Sequence, residues 1–177
     1  MMHVNAGYPE AFILASASPR RKQLLAKAGY KFISIAADIN ESAFFTQHIK
    51  PDEYAKRLAL AKAKKVAEKY PNHLVIGADT IIDFKGQIIG KPANAHQARQ
   101  IIKKLFGQPH KVITAIAIVR IADGIEIVES DTTIVYPRKL TDEQIAAYIK
   151  SKSWQNKAGA YAIKEKDDEF IEKIEAV

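Results

Sequence analysis

Three stretches of this chain carry residue types that suit chemistry on an anion. The first is Ser16-Ala17-Ser18-Pro19-Arg20-Arg21. Ser18 suits the N-cap of a helix and Pro19 its first turn, so a helix start is well defined there. The unpaired N–H groups and partial positive charge of such a terminus favour phosphate. Arg20 and Arg21 add guanidinium donors that meet phosphate oxygens two at a time. The same residues also describe a capped surface helix with two solvated arginines. The position after an apolar run, where a strand would hand over to a helix, favours the anion site, because α/β sheets bind ligands at such ends.

The second stretch is the one around Lys62. At ~100° per residue, Tyr54, Ala55, Leu58, Ala59 and Val66 form one apolar stripe with Lys62 near its middle. A lysine in that place must find an anion, snorkel to water or lose its charge. A substrate phosphate would serve as the anion, and so would a buried carboxylate. The third is Leu74-Val75-Ile76-Gly77-Ala78-Asp79-Thr80, an apolar strand read as ending at Asp79. A carboxylate at a sheet's carboxyl edge holds Mg²⁺ or accepts a proton from water, and in a plain turn it caps local N–H groups. Glu41 is a second candidate carboxylate, and Lys91, in Gly90-Lys91-Pro92, a further cation. His110 and Thr114 border a strand, with exposure the ordinary state of such a histidine. Trp154, Tyr136 and Tyr148 offer rings for stacking, or for the core.

The elements that must position these groups alternate. Strands are expected at Ala11 to Ala15, Phe32 to Ala36 and His73 to Ala78, and a hairpin from Ile81 to Ile89 turning at Lys85-Gly86. Helices are expected to Ala28 before Gly29, from Pro51 to about Lys69, and from Ala95 to Phe106 before Gly107. Lys111 to Ile121 and Ile125 to Tyr136 read as β with a turn at Asp123-Gly124. Thr141 with Gln144 has the capping-box pattern of a further helix. The tail from Tyr161 is ambiguous. This alternation implies an α/β fold with a mixed sheet.

Composition narrows the class. The chain has 177 residues, 47% hydrophobic and 27% charged, which fits one globular domain and excludes a disordered or collagenous chain. Apolar runs are far shorter than the ~20 residues of a membrane span, so no membrane partner is expected. Without a signal-like stretch in Met1 to Glu10, a cytoplasmic location is expected. The absence of cysteine removes disulfides, thiolate metal sites and a cysteine nucleophile. Twenty-seven basic against twenty acidic residues, a net charge of +7, favour an anionic partner.

In order along the chain, Ser16 to Arg21, Glu41, Lys62-Ala63, Gly77-Ala78-Asp79-Thr80, Gly90-Lys91-Pro92 and Lys157-Ala158-Gly159-Ala160-Tyr161 resemble the Maf family of nucleoside triphosphate pyrophosphatases. The likeness runs from about Phe12 to Ile174. It implies an elongated mixed β-sheet flanked by helices, in two lobes around a central cleft, related to inosine triphosphate pyrophosphatases. One domain over 1–177 with a short tail at 1–9 is expected. The implied reaction splits the α–β phosphate bond of a nucleoside triphosphate, giving monophosphate and pyrophosphate with a divalent metal, Mg²⁺ or Mn²⁺. The family's phosphate-binding positions fall on Ser16, Arg20, Arg21, Lys62 and Lys91. Its acidic pair falls on Glu41 and Asp79, with Asp79 as proton acceptor. The members acting on dTTP and UTP match Arg20 and Thr80 and have Gln where this chain has Lys164. A homodimer is a further implication.

The departures generate expectations of their own. Lys164 can donate to a carbonyl oxygen of a base but cannot accept from the imide N–H, so an altered pyrimidine selectivity is expected. Ala162 stands where Gly is usual, and Asn156 where an acid is common. Members usually continue past Ile174 with a further helix, whose absence would leave apolar surface for a partner subunit to cover. Two alternatives follow from the same residues. One is an inosine/xanthosine triphosphate pyrophosphatase, which the Ser-Pro-Arg-Arg and Gly-Ala-Asp-Thr segments oppose. The other is a basic nucleic-acid-binding or division-regulating protein without catalysis. Acids set among phosphate-binding bases disfavour a nucleic-acid partner.

Overall fold

The short apolar segments at the start of the chain form parallel strands, as expected of β–α–β connections. In the computed structural model, which describes residues 11–163 and 169–177, β1 (Phe12–Leu14) leads into α1 (Pro19–Lys27) and β2 (Phe32–Ser34). A single-turn 3-10 helix (Glu41–Phe44) precedes α2 (Pro51–Ala67). Then come β3 (Val75–Phe84), β4 (Gln87–Ile89), α3 (Ala95–Leu105), β5 (His110–Arg120), β6 (Ile125–Pro137), α4 (Asp142–Lys150) and β7 (Ile171–Ala176). The strands make one mixed sheet in the order β2-β1-β3-β5-β6-β7, with β4 also paired to β3. This is the α/β fold the alternation implied. Among the described residues no helix is long and apolar enough to cross a membrane.

The chain divides into two compact units: residues 1–45, 56–79 and 116–129, and residues 46–55, 80–115 and 130–177. In the first, β1 pairs in parallel with β2 (Ile13↔Ile33) and with β3 (Ile13↔Val75, Leu14↔Ile76). Ile13, Leu14, Ala15 and Val75 are buried. Ser18 Oγ accepts from the Arg21 N–H at 3.5 Å, which caps α1, and Gly29 takes a φ of +82° just past its end. Helix α2 carries alanine at every fourth position, and Ala55, Ala59, Ala63 and Ala67 are all fully buried. Facing two of them is Gly77, where a Cβ would lie 2.2 Å from the Ala59 carbonyl oxygen and 2.7 Å from the Ala63 nitrogen. Small residues on both sides thus let the helix backbone lie directly on the strand.

In the second unit, β3 and β4 form the expected hairpin with Phe84 opposite Gln87. Lys85 and Gly86 take the positive φ values of 53° and 82° that a tight hairpin turn requires. Asp83 Oδ1 accepts from the Gly86 N–H at 2.7 Å. The apolar side of α3 (Ala98, Ile102, Leu105) packs with Ile82, Phe84, Val135, Ile145, Trp154 and Tyr161 into one core. Thr141 and Gln144 form the capping box of α4.

Two expectations are corrected. The strand at Val75 does not end at Asp79 but continues to Phe84. Pairing of Asp79 with a lysine removes the need for it to sit at a solvated strand end. His110 is buried rather than exposed, because its Nε2 meets the Tyr161 hydroxyl at 2.5 Å, and burial lowers its pKa below the ordinary imidazole value. Within the ambiguous tail, Ile171–Ala176 forms β7, antiparallel to β6 (Val135↔Ile174). Trp154 and Tyr148 belong to the core and its margin, with the Trp154 indole N–H on the Ile149 carbonyl at 3.0 Å.

The close contact at Gly77 yields a direct expectation. Gly77→Ala should destabilise the protein by about 1–3 kcal/mol, as overpacking does, whereas Gly90→Ala, with nothing within 4 Å of its added Cβ, should stay within about 0.5 kcal/mol. Urea denaturation of the two variants measures the difference.

Candidate active site

Residue 62 lies on the turn of α2 between Ala59 and Ala63, the two residues held against Gly77. That contact brings the lysine over the strand two residues before Asp79. Lys62 is only 9% exposed, and its charge is met by two carboxylates. Its Nζ donates to Asp79 Oδ1 in a close hydrogen-bonded ion pair and lies 2.9 Å from Glu41 Oε1. Asp79 is buried at 6% exposure. Glu41, the first residue of the 3-10 turn, keeps a half-exposed side chain, so the pair has one inner and one outer oxygen donor.

Arg21 completes the cluster from the first turn of α1. Its Nη1 donates to the Ala78 carbonyl at 2.8 Å and to Ser16 Oγ at 3.3 Å. Ser16 Oγ also accepts from the Ser18 N–H at 3.2 Å, and the Ser16 carbonyl accepts from Ser34 Oγ at 2.7 Å. The turn between β1 and α1 is therefore fixed on both sides, and α1 points its N-terminus from a defined position. Burial pushes the Asp79 carboxyl above its ordinary value; the Lys62 charge and hydrogen bond pull the other way, and the nearby Glu41 adds to the rise. Burial likewise lowers the Arg21 guanidinium, with Asp79 and Glu41 opposing it.

Of the residues singled out in the sequence, Ser16, Arg21, Glu41, Lys62 and Asp79 come together in the first unit. Arg20 is exposed on the same turn of α1. Lys91 and Thr80 belong to the second unit. Lys91 is exposed just past β4, and Thr80 Oγ1 shares a hydrogen bond with Thr114 Oγ1 at 3.0 Å. The Gly159 N–H donates to the Gly90 carbonyl at 3.1 Å, which ties the Lys157-to-Tyr161 segment to the residue before Lys91. Lys164 lies outside the described residues. Two further contributions come from the Ala78 carbonyl and from Gly77. The Ala78 carbonyl carries no side-chain signal at all. The role of Gly77 was signalled by a glycine within a bulky strand and by alanines four apart in α2.

Among the described residues no group of three or more histidine or acidic side chains could hold a metal ion. Glu41 and Asp79 nevertheless fit a hard cation such as Mg²⁺, which is usually held by one or two carboxylates together with substrate phosphates. The arrangement is thus suited to a cation that arrives with a phosphate ligand. Oxygen donors, an ammonium, a guanidinium and a helix N-terminus within one small region are groups suited to binding phosphate oxygens.

The fold belongs to a recognised class. Residues 11–176 match the family model described as Maf-like protein, and the chain belongs to the Maf family. It is 44% identical to a dTTP/UTP pyrophosphatase of Alkaliphilus oremlandii (strain OhILAs), over 92% of this chain and 84% of the relative. A protein of the same name from Citrifermentans bemidjiense is 42% identical over 93% of this chain and 84% of its own length. A third, from Geotalea uraniireducens (strain Rf4), is 43% identical over 92% and 83%.

The two adjacent arginines should behave differently. Arg21→Ala removes charge-assisted bonds to Ala78 and Ser16 and is expected to cost about 1.5–3 kcal/mol of stability. Arg20→Ala, at an exposed position, should stay within about 0.5 kcal/mol. Chemical denaturation of both variants separates a fixed arginine from a free-standing one.

Proposed function

We propose that this protein hydrolyses the α–β phosphate bond of nucleoside triphosphates, releasing a nucleoside monophosphate and pyrophosphate. The observation that carries the reading is the meeting of Asp79, Glu41, Lys62 and Arg21 beside the start of α1. The relatives named dTTP/UTP pyrophosphatase support pyrimidine triphosphates as the substrate class. In the reaction, a water oxygen forms a new bond at the phosphorus of the scissile anhydride and the bridging P–O bond breaks. With attack at the α-phosphorus, the bridging oxygen and the electron pair of that bond leave on pyrophosphate, the new oxygen stays on the monophosphate, and the water proton passes to Asp79. A general base at that point is worth roughly 10²–10⁴ in rate. Arg21 and Lys62 stabilise the phosphate charge, and Ser16, with the N-terminus of α1, donates to phosphate oxygens. Arg20 adds a cationic contact to the same tail, and the family's phosphate-binding positions also include Lys91.

A divalent cation, Mg²⁺ or Mn²⁺, would be held by Glu41 and Asp79 together with the phosphates and would supply charge neutralisation there. Thr80 and Lys164 are assigned to the base. An ammonium at 164 binds a carbonyl oxygen of the pyrimidine without accepting from its N–H. Action as a homodimer in the cytoplasm belongs to the same reading through the family likeness. The clustering of two carboxylates among the cations favours a hydrolase over a nucleic-acid-binding protein without catalysis, since acids oppose a polyanion unless a cation bridges them.

Pyrophosphate release over a panel of triphosphates, with Mg²⁺ and with Mn²⁺, tests the reading. Asp79→Asn should lower kcat by about 10²–10⁴ while the circular dichroism spectrum stays native; an unchanged kcat overturns the assignment. In the same panel, Lys164→Gln should sharpen the preference for dTTP and UTP. A sharp preference in the wild type that this substitution leaves untouched contradicts the role given to Lys164.

A further inference from the structure

The cluster in the first unit is balanced in charge. Its two carboxylates, Asp79 and Glu41, face two cationic side chains, Lys62 and Arg21. The balance is not diffuse. The Lys62 ammonium sits between the two carboxylates, bonded to Asp79 and 2.9 Å from Glu41, in the position where a cation shared by both would sit. A bare divalent ion entering there meets no net negative charge, and it must displace an ammonium that both acids already hold. The displaced ammonium cannot simply be left behind. At 9% exposure it needs another anion.

We propose that Lys62 is the resident counter-ion of the Glu41–Asp79 pair and is handed to the substrate's polyphosphate when a divalent cation takes its place, so that cation and nucleotide bind as one coupled event. This deepens the reading of the site as a triphosphate hydrolase and rests on it. A polyphosphate supplies what the bare ion lacks: oxygen ligands for the cation and an anion to receive the lysine. Half-exposed Glu41 is the side from which exchange can occur, whereas buried Asp79 is the fixed partner. Coupling of this kind is reciprocal, so the cation must raise nucleotide affinity by the same factor by which the nucleotide raises cation affinity. The gain for the enzyme is that its acidic pair stays occupied and protected from free metal until substrate is present.

The test reads Mn²⁺ binding by electron paramagnetic resonance, with affinities referred to free Mn²⁺ because the nucleotide itself chelates the ion. Wild-type protein is measured alone and with a triphosphate whose α–β bridge cannot be hydrolysed, and Lys62→Met is measured in the same two states. Coupling predicts weak Mn²⁺ binding to the wild type alone, and binding tighter by about 5–150-fold with the nucleotide. In Lys62→Met the protein alone should bind Mn²⁺ at least about tenfold more tightly than the wild type, and the factor added by the nucleotide should fall below the wild-type factor, to what its oxygen ligands alone supply. Equal Mn²⁺ affinity of the wild type with and without bound nucleotide overturns the proposal. So does a Lys62→Met variant that binds Mn²⁺ no better than the wild type. The wild-type comparison stands by itself if the variant does not fold. Failure of the hydrolase reading looks different: the wild type then binds no triphosphate in either the presence or the absence of Mn²⁺.

Discussion

One buried ammonium organises this protein's candidate active site. A lysine at 9% exposure is tolerated only with its charge met at close range, because an isolated ion in a protein interior costs several kcal/mol even after relaxation. Lys62 satisfies that demand with Asp79 and Glu41, which come from a strand and from a 3-10 turn distant in sequence. Each element must therefore be held where the pair can close. The alanines of α2 and Gly77 of β3 remove the side chains that would keep helix and strand apart. Arg21 fastens the first turn of α1 to the carbonyl of Ala78, the residue next to Asp79. Packing and electrostatics are thus two aspects of one constraint: the backbone approach exists so that the charges can meet, and the charges reward the approach.

The same constraint explains why the site reads as one for phosphates. Paired acids and bases with no ligand among them would make an inert salt bridge, and many buried pairs are that. Here the pair lies beside a capped helix start with Ser16 and Arg21 fixed in place, and one acid remains half-exposed. The fixed donors require no reorganisation when an anion arrives, which is the condition under which electrostatic stabilisation contributes most to catalysis. Membership in the Maf family and the likeness to pyrophosphatases are consistent with this reading of the residues.

Much of this was legible in the sequence, for reasons that can be stated locally. Ser18-Pro19 marked the start of α1, Lys85-Gly86 the hairpin and Thr141 with Gln144 the start of α4, because capping and turn chemistry involve neighbours in the chain. Lys62 stood out because a charge on an apolar stripe conflicts with helical periodicity. What the sequence left open was which of two anions Lys62 meets. Both a phosphate and a carboxylate satisfy it, and only the tertiary arrangement shows the carboxylates. Asp79 was expected to end its strand, since an acid inside an apolar run is normally costly; the partner that removes the cost lies 17 positions earlier on another element. The burial of His110 is hidden from local sequence for the same reason, its partner Tyr161 being 51 residues away. Errors fell where a long-range polar contact overrode a local preference.

The claim that Lys62 and Asp79 depend on each other is tested most directly by a double-mutant cycle read in urea denaturation. Lys62→Met, Asp79→Asn and the double variant are compared with the wild type. Mutual dependence predicts a coupling energy of about 2–3 kcal/mol, the double variant losing far less stability than the two single variants combined. Losses that add to within about 0.5 kcal/mol would mean that the two groups are independent neighbours, and would contradict the pairing on which the site is built.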